Sequence, residues 1–302
     1  FSMMSLVNSW LVQSKAEFEA RAASYPDLIK EIVFTNADGS ISKQIADVED
    51  LIAQGVDAIV ISAVSPTALV PVVERAVKEG IPVIPFSNLV ETDAITAQVV
   101  PDQFEFGRKG AEWLVEQLGG KGKIVALSGV PGNSVTQGRW NGAKSVFDQH
   151  PGIEVLGRAY GHWAYDKGKA AAEEFLAAHP TIDGVWSGGG AMTRGAMEAF
   201  MDAGRTLVPM TGEAENGFMK LWLEHKKDFD SIALDEPTWQ AALALDIALL
   251  ALEGKPFYKY NTVPAYTITG DQLEDYVRPD LSDNFWVDTH LPEDVILELY
   301  KN

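Results

Sequence analysis

Short apolar runs alternate with segments whose apolar positions recur every three or four residues. EIVFTNAD, VDAIVISAV and IPVIPFSN read as strands, and SKQIADVEDLIAQG and SPTALVPVVERAVKEG between them read as helices. Strands and helices in strict alternation predict right-handed βαβ units around a parallel sheet. The runs AIVIS and VIPF are apolar without a polar alternate, as strands covered by helices on both faces should be. After Pro101 the pattern starts again, with FEFGRKGAEWLVEQLGG as a helix, KIVALSG as a strand, RWNGAKSVFDQH as a helix and EVLGRAY as a strand.

The second half repeats the first. An offset of 126 residues superposes Asp57 on Asp183, Lys43 on Lys169 and Ser87 on Glu213, and it also matches the helix SPTALVPVVERAV with AMTRGAMEAFMDA. SIALDEPTWQAALALDIALLALEG adds a strand and a long helix, and the tail from Thr267 reads as an extended wrap ending in a short helix. With 302 residues, 46% of them apolar, the chain is long enough for two lobes of ordinary size. The expected fold class is α/β, two doubly wound parallel-sheet lobes joined by a multi-strand hinge. Lobe 1 is placed at 1–101 and 235–263, and lobe 2 at 102–234, with 264–302 as an extended C-terminal wrap set with lobe 2 but its lobe left open. No low-complexity or Pro-rich linker divides them.

A formal charge of −19 leaves no basic footprint for nucleic acid or an anionic membrane. No apolar stretch approaches the roughly 20 residues that span a bilayer, and FSMMSLVNSW has neither the basic start nor the apolar core of a signal peptide. The chain therefore reads as a soluble, mature form. The absence of cysteine removes disulfides, thiolate metal sites and cysteine nucleophiles, and is compatible with an oxidising compartment.

VWSGGGAMTRGAM looks like a strand, a glycine turn and a helix start, which invites a nucleotide-enzyme reading. A dinucleotide fingerprint fails because Gly188 and Gly190 are followed by Thr193 where the third glycine belongs. No lysine stands in a phosphate loop, and no Gly-x-Ser-x-Gly elbow occurs. The five histidines never pair at helical spacing, and no calcium loop is present, so no metal and no cofactor are expected.

The residues at the predicted strand ends suggest a different chemistry. A sugar or polyol offers C–H faces to planar side chains and hydroxyls to Asp, Glu, Asn or Arg. Such groups occur at Asn8 and Trp10, Ser87 and Asn88, Arg139, Trp163, Glu213, and Trp239 and Gln240. Trp113, Trp186, Trp222 and Trp286 sit in patterns that read as packing, and Asp102 reads as a tether at the first crossover.

SLVNSW, GVDAIVISAVSPTAL, EGIPVIPFSN, ALSGVPGNSVTQGRWNGA and HPTIDGVWSGGGAM, in that order, resemble the periplasmic sugar-binding proteins of the ribose-binding type, the substrate-capturing subunits of ABC importers. The resemblance covers nearly the whole chain, with a longer tail than in compact members. It implies a binding protein rather than an enzyme, periplasmic or lipid-anchored if the leader carried a lipobox. Its partners would be a small ligand and a membrane permease, and it would act as a monomer. It also implies ligand capture between the lobes with hinge closure. Asn8 and Trp10 match the family's amide and stacking aromatic, Trp163 the facing aromatic, and Arg139 the sugar-binding arginine. Glu213 falls at or beside its aspartate, and Trp239 or Gln240 at a polar position near the hinge.

Two departures bear on the ligand. Ser87 and Asn88 stand where the family carries Asp-Arg, and Gly189 and Gly190 where it carries Asn-Asp. Glycine at 189 is expected to leave a gap for a bulkier ligand, or to let backbone N–H groups do the bonding. Arg139 would serve a carboxylate as readily as a hydroxyl, so pentoses, deoxy sugars, polyols, furanosyl signals and sugar acids all stay open. The rival readings are the effector domain of a LacI-type repressor, which should carry a helix-turn-helix and a basic face, and a Rossmann-like enzyme.

Overall fold

The computed structural model describes residues 1–302 as two compact units. Unit 1 holds Phe1–Pro101, Pro237–Pro264 and Thr289–Ile296, and unit 2 holds Asp102–Glu236, Ala265–Asp288 and Leu297–Asn302. The C-terminal tail is therefore shared between units rather than being one wrap.

Unit 1 opens with β1 (Ser2–Met3), α1 (Ser9–Ala23), β2 (Thr35–Asn36), α2 (Ile41–Gln54), β3 (Ile59–Ile61), α3 (Val70–Lys78), β4 (Val83–Pro85) and β5 (Gln98–Pro101). Its parallel sheet runs β2-β1-β3-β4. Ile59, Val60, Ile61, Val83 and Ile84 are all buried, so both faces are covered and the unbroken apolar runs are explained. The run EIVFTNAD yields only two strand residues, because β2 is the sheet edge and pairs with β1 alone, over two positions. α2 begins where the Ser40 hydroxyl accepts the Lys43 N–H at 3.2 Å, and it ends at Gly55 in the left-handed region with φ 69°.

Unit 2 runs α4 (Gln103–Gln117), β6 (Gly122–Ser128), α5 (Ser134–Phe147), β7 (Ile153–Tyr160), α6 (Tyr165–Ala178), β8 (Gly184–Ser187), α7 (Gly190–Asp202), β9 (Met210–Glu213), α8 (Asn216–His225) and β10 (Ser231–Asp235). The chain then adds α9 (Gln240–Leu252) and β11 (Tyr260–Val263) to unit 1, where β11 pairs in parallel with β5. β12 (Tyr266–Ile268) and α10 (Leu273–Tyr276) belong to unit 2, and α11 (Glu293–Tyr300) closes the chain. The unit 2 sheet has the order β12-β10-β9-β8-β6-β7, parallel except for β12.

The internal repeat is visible as α2-β3-α3-β4 in unit 1 and α6-β8-α7-β9 in unit 2. Parallel strands bring their carboxyl ends to one edge of a sheet, the edge where open α/β sheets receive ligands. In unit 2 the last residues of β6, β8, β9 and β10 are Ser128, Ser187, Glu213 and Asp235, all buried. The core beneath that edge holds Trp186 against α4 and α5, and Trp222, on α8, in one cluster with α7. Trp113 packs partly buried beside it, and Trp286 is buried in the tail.

Candidate ligand-binding site

In unit 2 the rim is organised by one arginine. Asn133 caps α5 by accepting the Val135 and Thr136 N–H groups, so the helix starts just beyond the end of β6 and carries Arg139 to the rim. Arg139 is 2% exposed. Its Nε donates to Gln103 Oε1 at 2.8 Å, Nη1 donates to the Gly188 carbonyl, and Nη2 donates to Glu213 Oε1 at 2.7 Å and to Glu236 Oε2. The guanidinium also lies 3.6 Å from the centroid of Phe106 and 5.2 Å from that of Trp163, within cation–π range of both rings. Arg139, Trp163, Glu213 and the glycine turn, far apart in sequence, thus meet in one unit.

The site carries more acid than base. Burial pushes the Glu213 carboxyl up to about 7, with Glu236 adding to the shift and Arg139 and the Gly190 N–H opposing it. Asp235, one residue before Glu236, is raised first by burial and then by its hydrogen bond with Asp288. Two carboxyl groups share a hydrogen bond only when one of them holds a proton.

This sets a pH dependence. Glu213 has an ordinary value of 4.5 and about 7 in the fold, so the folded chain holds the extra proton. Its stabilising effect is complete below about 4.5 and is lost as pH rises towards 7. Glu213→Gln is expected to flatten the stability–pH curve by up to ~1.4 kcal/mol per pH unit in that window. Glu215, also raised to about 7 by burial, keeps part of the slope in the variant. Urea denaturation at a series of pH values measures both slopes, and equal slopes would place the proton elsewhere.

Trp163 leaves β7 through two successive left-handed residues, His162 at φ 54° and Trp163 at φ 61°. Such backbone is costly for large side chains and holds the indole in a defined place. A Cβ on Gly129 would fall inside that indole. A Cβ on Gly189 would lie 3.0 Å from the Trp163 ring and 2.9 Å from Met192 Cε. The space beside Gly189 is therefore filled by this chain's own side chains, which corrects the expectation of a gap left open for ligand. Gly190 is bare for a related reason, since a Cβ there would stand 2.5 Å from the Glu213 carbonyl oxygen where α7 starts against the end of β9. The Gly190 N–H bonds the Glu213 carboxyl, so the backbone donor serves a protein group.

In unit 1, Asn8 is the N-cap of α1 and its Oδ1 accepts the Leu11 N–H at 2.9 Å. Trp10, in the first turn, is 8% exposed. Ser87 and Asn88 follow β4, with Ser87 at φ 55° and its N–H bonded to the Val99 carbonyl. Asn88 Nδ2 donates to Ser62 Oγ at 3.1 Å, and all three side chains are buried. Trp239 is the N-cap of α9 and stacks on His290, with ring centroids 5.1 Å apart. Gln240 is fully buried; its Nε2 donates to the Pro237 carbonyl at 2.9 Å, and its Oε1 has no partner. Asp102 caps α4 by accepting the Glu105 N–H at 2.9 Å.

Sequence reasoning passed over Gln103, Asp235, Glu236 and Asp288. The strand-end rule points to SIALDEP as well, where Asp235 and Glu236 are the terminal acids just before Trp239 and Gln240. Gln103 and Asp288 carried no local signal, since only the fold brings them to the rim.

A family model described as the periplasmic binding protein domain matches residues 1–256. The chain belongs to that family. The xylitol-binding protein of Mycolicibacterium smegmatis is 32% identical over 250 residues, covering 81% of this chain and 70% of its own length. The ribose import binding protein of Bacillus subtilis is 28% identical over 263 residues, with coverage of 87% and 84%. Among solved structures, a solute-binding protein from Bacillus halodurans with bound myo-inositol superposes with a TM-score of 0.84 at 25% identity, covering 91% of this chain and 95% of that one. The fructose-binding periplasmic domain of a hybrid two-component system gives 0.82 at 27% identity, with 91% of each chain covered. The expected α/β fold class is thereby met, as that of a type I periplasmic binding protein. As a periplasmic binding protein the chain binds rather than catalyses, and its family implies an extracytoplasmic location. No helix is long and apolar enough to cross a membrane.

Proposed function

We propose that the chain captures an uncharged sugar or polyol and delivers it, as a monomer, to the membrane permease of an ABC importer. Asn8, Trp10, Ser87 and Asn88 would serve from unit 1, and Arg139, Trp163 and Glu213 from unit 2, with Asp235 and Glu236 beside them. The relatives named for xylitol and ribose, and the neighbour holding myo-inositol, support the ligand class.

The single observation that carries the choice of an uncharged ligand is the state of Arg139. Its charge is already answered by Glu213 and Glu236, and Asp235 and Asp288 add further acid nearby. An anionic ligand entering that rim would meet surplus negative charge, whereas hydroxyl groups would find acceptors. Sugar acids are therefore the poorer fit.

A thermal-shift screen tests this with xylitol, ribose and myo-inositol against the corresponding sugar acids. A ligand at about a hundred times its dissociation constant should raise stability by roughly 3 kcal/mol. Trp163→Ala should remove the shift and leave the unliganded protein folded, since the half-buried indole lies at the rim of the core. A larger shift with a sugar acid than with its polyol, or a normal shift in the variant, would overturn the assignment.

A further inference from the structure

A groove of about 440 Å³ lies in unit 1 between α1 and α9, with Glu17, Arg21, Trp239, Asp246 and His290 among the residues that line it. One wall is aromatic, because Trp239 and His290 stack with only 5° between their planes. The opposite feature is a buried acid. Glu17 is 2% exposed, and its Oε1 accepts from the Thr238 hydroxyl at 3.0 Å, the Thr289 hydroxyl at 2.5 Å and the His290 N–H at 2.9 Å. Three donors on one oxygen fix the carboxyl in place and leave Oε2 as the atom it can offer to the groove.

The cation best placed to neutralise Glu17 is committed elsewhere. Arg21, one turn further along α1, donates to both oxygens of Asp246 at 2.8 and 2.9 Å and to the Tyr25 hydroxyl at 2.6 Å. No lysine or arginine pairs with Glu17, so apart from the His290 imidazole beside it the groove holds two carboxylates against one guanidinium. Burial raises the Glu17 carboxyl, and its hydrogen bonds from Thr289, His290 and Thr238, together with the charge of His290, oppose the shift only in part.

We propose that this groove binds a primary ammonium group, with Glu17 as its counter-ion and Trp239 as the aromatic surface beside it. A carboxylate supplies charge and hydrogen-bond acceptance, and an indole attracts a cation over its face. The ammonium could belong to a free alkylamine or to a lysine side chain. The inference concerns unit 1 alone and is independent of the sugar reading.

The test titrates n-butylammonium, tetramethylammonium and n-butanol into the full chain at constant ionic strength and about pH 8, above the carboxylate range. The readout is the amide NMR signal of His290, whose N–H bonds Glu17. A saturable shift with n-butylammonium is expected. Butanol should give none, and tetramethylammonium a weaker one because it has no N–H to donate. Glu17→Gln should weaken n-butylammonium at least about tenfold. Ala20→Leu, which fills the groove while keeping the acid, should do the same. Nα-acetyl-lysine amide distinguishes the sources: binding at least as tight as n-butylammonium favours a lysine side chain, and weaker binding a free amine. Equal responses to butanol and n-butylammonium, or unchanged binding in both variants, would overturn the proposal.

Discussion

Arg139→Met should destabilise unit 2 by about 3–5 kcal/mol at neutral to alkaline pH. The substitution keeps much of the side-chain volume against Phe106 and Trp163, so the loss is electrostatic before it is steric. It leaves Glu213 and Glu236 buried without their cation, and it removes donors from Gln103 and the Gly188 carbonyl. Removing one member of a buried ion pair costs more than the pair contributes, because the remaining charge stays desolvated. The cost should shrink on acidification, since a Glu213 carboxyl raised to about 7 takes up a proton readily once Arg139 is gone. Chemical denaturation at two pH values measures this. A triple variant that also carries Glu213→Gln and Glu236→Gln should recover much of the loss. A variant as stable as the parent at alkaline pH would mean that these acids are not held as anions by Arg139.

The parts of this protein that could be read from its sequence are those whose signal is local and periodic. Unbroken apolar runs such as AIVIS marked β3, and the helical spacing of SKQIADVEDLIAQG marked α2. Strand length was less visible, as EIVFTNAD shows, because pairing depends on a neighbouring strand rather than on the run itself. The site divides in the same way. Arg139, Trp163 and Glu213 are marked by their place after strands, and the structure brings all three together. Gln103, which accepts from Arg139, and Asp288, which bonds Asp235, come from a helix start and from the tail, so nothing nearby in sequence announces them.

Glycine at 189 does not leave open space. A missing side chain in a sequence looks like space, but space in a folded protein is shared, and the indole of Trp163 occupies what residue 189 does not. Two positions 26 residues apart thus form one packing decision, legible only when both are seen together. The consequence is that specificity at this corner should follow where the Trp163 ring stands rather than any polar group on the glycine turn.

Gly107→Ala should be the most damaging change of a single methyl group at this site. Gly107 lies in α4 where it crosses α5, and a Cβ there would fall 2.8 Å from the Arg139 Cα and overlap the Arg139 carbonyl oxygen. The obstacle is backbone, which cannot turn aside as a flexible side chain can, so the two helices must separate. Gly142 on α5 makes the reciprocal approach to the Phe104 carbonyl, and together the two glycines let the helices pack backbone to backbone. Overpacking of this kind costs roughly 1–3 kcal/mol, and more when backbone must move. Here the displaced helix carries Arg139, so the shift also lengthens the hydrogen bonds to Glu213 and Gln103, now 2.7 and 2.8 Å. The variant should therefore lose stability and, at temperatures where it remains folded, bind ligand at least about tenfold more weakly, since a charge-assisted contact is worth on the order of 1.5–3 kcal/mol. Thermal melts with and without ligand separate the two effects. Gly119→Ala is the matched control, at a left-handed position with nothing within 4 Å, where only local backbone strain is added and ligand affinity should stay unchanged.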